Sequence, residues 1–138
     1  GFGAIAKGYA VDRASKVLTD AGFPNHIVEG GGDTFVAGRK GEQLWQVGVQ
    51  DPDSARGALG AIAAENEAIV SSGNYQRFFE HNGVKYSHII DPRTGRPKPW
   101  DESPRSVTVL AKDAMTADAM CTAVAVMGAE RGLAFVEG

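Results

Sequence analysis

Residues 26–37 read His26-Ile27-Val28-Glu29-Gly30-Gly31-Gly32-Asp33-Thr34-Phe35-Val36-Ala37. Two short runs, His26–Glu29 and Thr34–Ala37, have strand composition, and the glycines between them permit the positive φ of a turn. No helix fits between these strands. Working outward, the same spacing recurs. Trp45, Val47 and Val49 alternate with Gln46, Gly48 and Gln50, the period of a half-buried strand. Apolar residues from Leu59 to Val70 make two more strands, broken near Glu65-Asn66, and Lys85–Ile90 and Val107–Val109 follow. Helices lie at the two ends. Ala6, Ala10, Ala14, Val17, Leu18 and Ala21 recur at helical spacing until Gly22 and Pro24. Asp113 is a good N-cap for a helix from Ala114 to Met127, ended by Gly128, and a last helix begins near Ala129. Strands in runs with helices at the ends predict an α+β fold, a mixed or antiparallel sheet packed with helices, not alternating α/β.

The 138 residues suffice for one domain with a sizeable core. Net charge is −3, which argues against a nucleic-acid partner. No apolar run is long enough to form a transmembrane segment. The single Cys121 excludes an intramolecular disulfide and a cysteine-based zinc cage. Asp91–Pro99 holds three prolines, at 92, 97 and 99, and is expected to lack regular structure. The first residue is Gly1, and the chain is expected to be a single-domain fragment, 1–138, shortened at both ends.

Several segments carry chemistry. Gly1-Phe2-Gly3-Ala4-Ile5-Ala6 formally matches a dinucleotide fingerprint, but no strand precedes it. Gly3 and Gly8 have the spacing of a phosphate loop, but Tyr9 stands where Lys is required. A glycine-rich helix start with Lys7 still suits a pyrophosphate; taken alone, Lys7 reads as a surface lysine. Gly31, Gly32 and Asp33 could admit a ligand close to the backbone, with Asp33 accepting from a ribose hydroxyl; a flexible hairpin with a solvated Asp reads as well. Ser72, Gly73, Tyr75 and Arg77 follow a strand, where a ring can stack on a planar cofactor and polar groups can hold phosphate; a polar loop with one packed tyrosine is the commoner reading of such a segment. His88 ends a strand before the proline-rich loop, and a histidine there can accept a proton at neutral pH, although a lone histidine is more often structural than catalytic. Asp118 is the odd residue of its helix, among small and apolar neighbours. Thr122 lies one turn later on the same face, and the two oxygens suit Mg²⁺ better than zinc; an exposed Asp on the polar side of the helix, flanked by Thr116 and Thr122, is the other reading.

Together, Gly3–Asp12, Gly31–Asp33, Gln50–Pro52, Ser72–Tyr75, Tyr86–Gly95 and Thr116–Thr122 resemble, in order, the blocks of the ApbE-like flavin transferases. The resemblance implies a T-fold-like flavin transferase domain whose N-terminal part is missing. It implies a Mg²⁺-dependent FAD:protein FMN transferase that attaches FMN to a Ser or Thr of a target and releases AMP. FAD pyrophosphatase activity, or a silent flavin-binding fragment, are the alternatives. It further implies metal ligands at Asp118, Thr122 and the Ala4 carbonyl. FAD contacts map onto Lys7, Gly31, Gly32, Asp33, Ser72, Gly73, Tyr75, His88 and Ile89, and the general base onto His88. The expected partner is a protein of a membrane redox complex bearing a flavinylation motif, on the periplasmic side of the cytoplasmic membrane. A homodimer is left open. Family members often carry Asp where this chain has Gly1.

Overall fold

A computed structural model describes residues 2–54, 56–74 and 78–137. Its centre is a four-stranded antiparallel sheet in the order β1-β2-β5-β9, formed by His26–Gly30, Asp33–Ala37, Glu67–Gly73 and Ser106–Ala111. Because side chains alternate across a strand, this sheet has two apolar faces. One face carries Val28, Phe35, Ala68, Val70, Val107 and Val109 and packs on two helices, α1 (Ala6–Asp20) and α2 (Ala114–Met127). The other carries Val36 and Ile69. It is covered by a hairpin of β3 (Trp45–Gln50) and β4 (Ala58–Ala64), through Trp45, Val47, Ile62 and Ala64. Val36 and Val70 are completely buried, and each such side chain stabilises the fold by about 1.5–3 kcal/mol.

A second sheet, β6-β7-β8, is built from Phe78–His81, Val84–Asp91 and Arg96–Pro99. Its central strand β7 touches α2 and a short 3-10 turn at Trp100–Glu102. The last helix, α3 (Ala129–Glu137), packs on α2. The architecture is therefore α+β, as the order of strand and helix signals predicts. No helix among the described residues is long and apolar enough to cross a membrane.

Three local expectations are revised. Arg96–Pro99 is a strand after all: it lies at the edge of its sheet, where Pro97 and Pro99 cost little in ladder donors. β6 was not anticipated. In α1, the residues turned inward are Gly8, Val11 and Ser15, whereas Val17 of the apolar series is 62% exposed. The reason is close helix packing. A Cβ built at Gly8 would drive into the Ala114 carbonyl, so only glycine lets α1 approach α2 this closely.

Candidate functional site

The approach of α1 to α2 fixes the register of the two helices. Asp12 accepts hydrogen bonds from the backbone N–H groups of Ala114 (2.8 Å) and Met115 (2.9 Å). With Asp113, which accepts from Thr116 N–H, it satisfies the start of α2. One turn back on α1, Gly8 N–H donates to Asp118 Oδ2 at 3.1 Å, one turn further along α2. The helices thus run antiparallel; Thr122 follows Asp118 one turn further along α2, and Ala4 sits in the turn that leads into α1. Of the three expected metal ligands, the pairing fixes Asp118 against the first turn of α1. The capping role of Asp12 was not read from the sequence; its only signal was membership of the Gly3–Asp12 block.

Lys7 and Asp33 complete the cluster. Asp33 shares the helix-facing side of β2 with Phe35 and is completely buried. Lys7 Nζ donates to Asp33 Oδ1 and, at 2.9 Å, to the carbonyl of Gly31. Among the described residues Asp33 Oδ2 has no hydrogen-bond partner, and the Asp118 carboxylate lies close to the Asp33 carboxyl. Burial raises the Asp33 carboxyl above its ordinary value, the Lys7 ammonium opposes that rise, and the negative charge of Asp118 adds to it. Asp33 is thus an enclosed carboxylate facing two site residues, not a solvated hairpin residue. Behind them, burial pushes the Cys121 thiol up to about 12, so the thiol stays protonated, and it donates to the Val70 carbonyl.

The glycine turn links this cluster to a groove on the opposite face of the sheet. Gly31 and Gly32 have φ of 58° and 94°, and Glu29 Oε1 accepts from Gly32 N–H. The turn is therefore fixed by bonds to Lys7 and Glu29. The groove, about 590 Å³, is lined by Gly31, Gly32, Ser71, Gly73, Gly48 and Gln50. Ser72 points the other way: it shares its face with Ala68 and Val70, towards α2. A shallower depression of about 650 Å³ between α1 and the start of α2 contains none of the expected site residues.

His88 and Ile89 come from the second sheet. Between Tyr86 and Ile90 the register of β7 against β8 shifts, since Tyr86 faces Pro99 while Ile90 faces Pro97. Ser87, His88 and Ile89 stand opposite Lys98 alone, so His88 lies in a bulge within the strand, not at its end. Bulges redirect side chains and are common beside active sites. Ser87 is buried and its Oγ accepts from Ile89 N–H, which pins the bulge. His88 itself is exposed. The following loop is held by Asp91, which accepts from Arg93 N–H, Nε and Nη2. Tyr75, Arg77 and Gly1 lie outside the described residues.

Donor chemistry fits a hard cation. Among the described residues no three His, Cys, Asp or Glu side chains converge as a metal cage. The carboxylate of Asp118, the hydroxyl of Thr122 and the backbone carbonyl of Ala4 are the ligand types of Mg²⁺. An orphaned carboxylate oxygen on Asp33 at the same place is in keeping with a positive charge.

Comparison with known proteins decides the relationship. The model of the ApbE family matches residues 1–138, the whole chain. The chain belongs to the ApbE family. An FAD:protein FMN transferase of Vibrio cholerae is 42% identical over 135 residues, covering 96% of this chain and 40% of the relative. One of Rhodobacter capsulatus is 42% identical over 130 residues, covering 94% and 24%. Among solved structures, the ApbE protein of Thermotoga maritima superposes with a TM-score of 0.85 at 39% identity, covering 97% of this chain and 44% of that one. The apo flavinyl transferase ApbE of Pseudomonas stutzeri gives 0.82 at 34% identity, with coverage of 99% and 42%. This ApbE chain thus spans less than half the length of these relatives.

Proposed function

We propose that the chain carries the cation, phosphate and base groups of a Mg²⁺-dependent FAD:protein FMN transferase. The observation that carries this reading is the convergence of Lys7, Asp33 and Asp118 at the glycine turn that opens on the groove. A pyrophosphate needs positive charge and close backbone approach, and this end of the fold supplies Lys7 and two glycines for it. Asp118, Thr122 and the Ala4 carbonyl would hold Mg²⁺, which neutralises charge on the phosphoryl oxygens when bound.

The reaction is an in-line displacement at phosphorus. The acceptor Ser or Thr oxygen bonds to the phosphorus of the FMN half. The bond from that phosphorus to the bridging oxygen breaks, AMP leaves with that oxygen, and the hydroxyl proton passes to His88. Lys7 holds the phosphate, and the glycine turn with Ser72, Gly73 and Ile89 positions the flavin nucleotide. An exposed His88 on a pinned bulge suits a macromolecular acceptor, because a protein segment can reach it.

The same exposure admits water, which makes hydrolysis of FAD to FMN and AMP the second reading. By the family resemblance, the acceptor is a protein of a membrane redox complex and the work is done on the periplasmic side of the cytoplasmic membrane. Incubating the full-length protein with FAD, Mg²⁺ and a target bearing a flavinylation motif tests the proposal. A fluorescent flavin on the denatured target supports transfer; AMP and free FMN without labelling support hydrolysis. No turnover of either kind sinks both enzymatic readings and leaves a silent flavin binder.

A further inference from the structure

We propose that Asp33 is itself a ligand of the divalent cation, supplying a second carboxylate oxygen beside that of Asp118. This rests on the cation reading above and extends it to a residue on a different element. The starting point is an imbalance. Asp33 is completely buried, its Oδ1 is taken by Lys7, and its Oδ2 has no hydrogen-bond donor among the described residues. Its carboxyl lies against that of Asp118, another acceptor, already fixed by Gly8 N–H. Two carboxylates set side by side, with one partly exposed lysine, leave net negative charge in a buried place. Such an arrangement is costly unless a cation or a proton enters it.

A hairpin aspartate that served only to hold Lys7 would not need this burial. Lys7 is 43% exposed and could pair with a carboxylate at the surface. Asp33 instead follows the glycine turn as the first residue of β2, opposite Val70, with its side chain on the helix side of the sheet. That register sets its carboxyl beside that of Asp118, and Thr122 lies one turn further along the same helix face. Hard divalent cations favour such mixed oxygen sets, and a second carboxylate raises affinity by adding charge. Lys7 would then have two tasks: neutralising the far side of Asp33 and facing the phosphate.

The test uses Mn²⁺ alone, with no flavin. Binding is followed by loss of the free-ion electron paramagnetic resonance signal in wild-type protein, Asp33→Asn and Asp118→Asn. The expected result is tight binding by wild type and at least about tenfold weaker binding by each variant. Wild-type binding lost in Asp118→Asn but unchanged in Asp33→Asn overturns the Asp33 assignment and leaves the cation site standing. No Mn²⁺ binding by wild type overturns both. Thermal unfolding gives a second readout. Without metal, Asp33→Asn should be at least as stable as wild type, because carboxylate repulsion is removed, and its Mg²⁺-induced rise in Tm should vanish. A variant that is less stable without metal yet keeps the full Mg²⁺ increment assigns Asp33 a purely structural role. Should the variant fail to fold, electron–nuclear double resonance of Mn²⁺ bound to wild-type protein with ¹³C-carboxyl aspartate decides. Couplings to two carboxylates are expected, and one alone overturns the proposal.

Discussion

Gly8 donates its backbone N–H to the Asp118 carboxylate at 3.1 Å, linking residues 110 positions apart. A bond this close is possible because Gly8 has no side chain between α1 and the Ala114 carbonyl. The contact that packs the helices is therefore the one that aims the carboxylate.

Gly8→Ala should push α1 off α2. The added methyl has no void to enter, and overpacking against backbone should cost about 3 kcal/mol. Urea unfolding measures it. Stability equal to wild type would show that the helices do not meet as closely as described.

Ser15 and His26 join the far end of α1 to β1. Both are buried, with Ser15 Oγ and His26 Nε2 2.8 Å apart, while His26 Nδ1 lies 2.8 Å from the Phe23 carbonyl. The carbonyl can only accept, so Nδ1 carries the proton and Nε2 accepts from Ser15. Ser15→Ala leaves that nitrogen unpaired and should cost about 1–3 kcal/mol, read from the denaturation midpoint. An unshifted midpoint would remove the bond from the list of stabilising contacts.

Asp91 organises the loop after His88, and its bonds to the Arg93 guanidinium and backbone N–H lower its pKa to about 2. A carboxyl whose folded pKa lies below its unfolded value of 3.8 binds protons more readily when unfolded. Its contribution to stability is complete above that value, shrinks as pH falls towards 2, and is gone below it. Following the Asp91 side-chain carbon by NMR should give a midpoint near 2. A midpoint near the unfolded value would mean that the Arg93 pair does not persist in solution.

His88→Ala should lower flavin transfer by about 100-fold or more, the usual range for a general base. FAD affinity, measured by fluorescence quenching, should be spared. Near-normal transfer would rule His88 out as the proton acceptor.

Much of this molecule was legible from local chemistry. The limits of α2, Ala114–Met127, follow from an Asp113 cap and a Gly128 stop, both short-range signals that the structure reproduces. β3 shows its alternation directly, because one face meets the core and the other does not. The ordered blocks likewise determined the family.

Other features depended on partners distant in sequence. The buried stripe of α1 runs through Gly8, Val11 and Ser15, not along its most apolar residues, because the neighbouring helix demands closeness more than hydrophobicity. Arg96–Pro99 became a strand only because an edge position excuses two prolines. Asp33 looked equally suited to solvent or to a ligand until strand register turned it inward against Asp118. The sequence by itself determined the elements, their order and the kinds of oxygen available. Tertiary structure decided which of those oxygens meet, since register and helix separation are set by contacts that no local window contains.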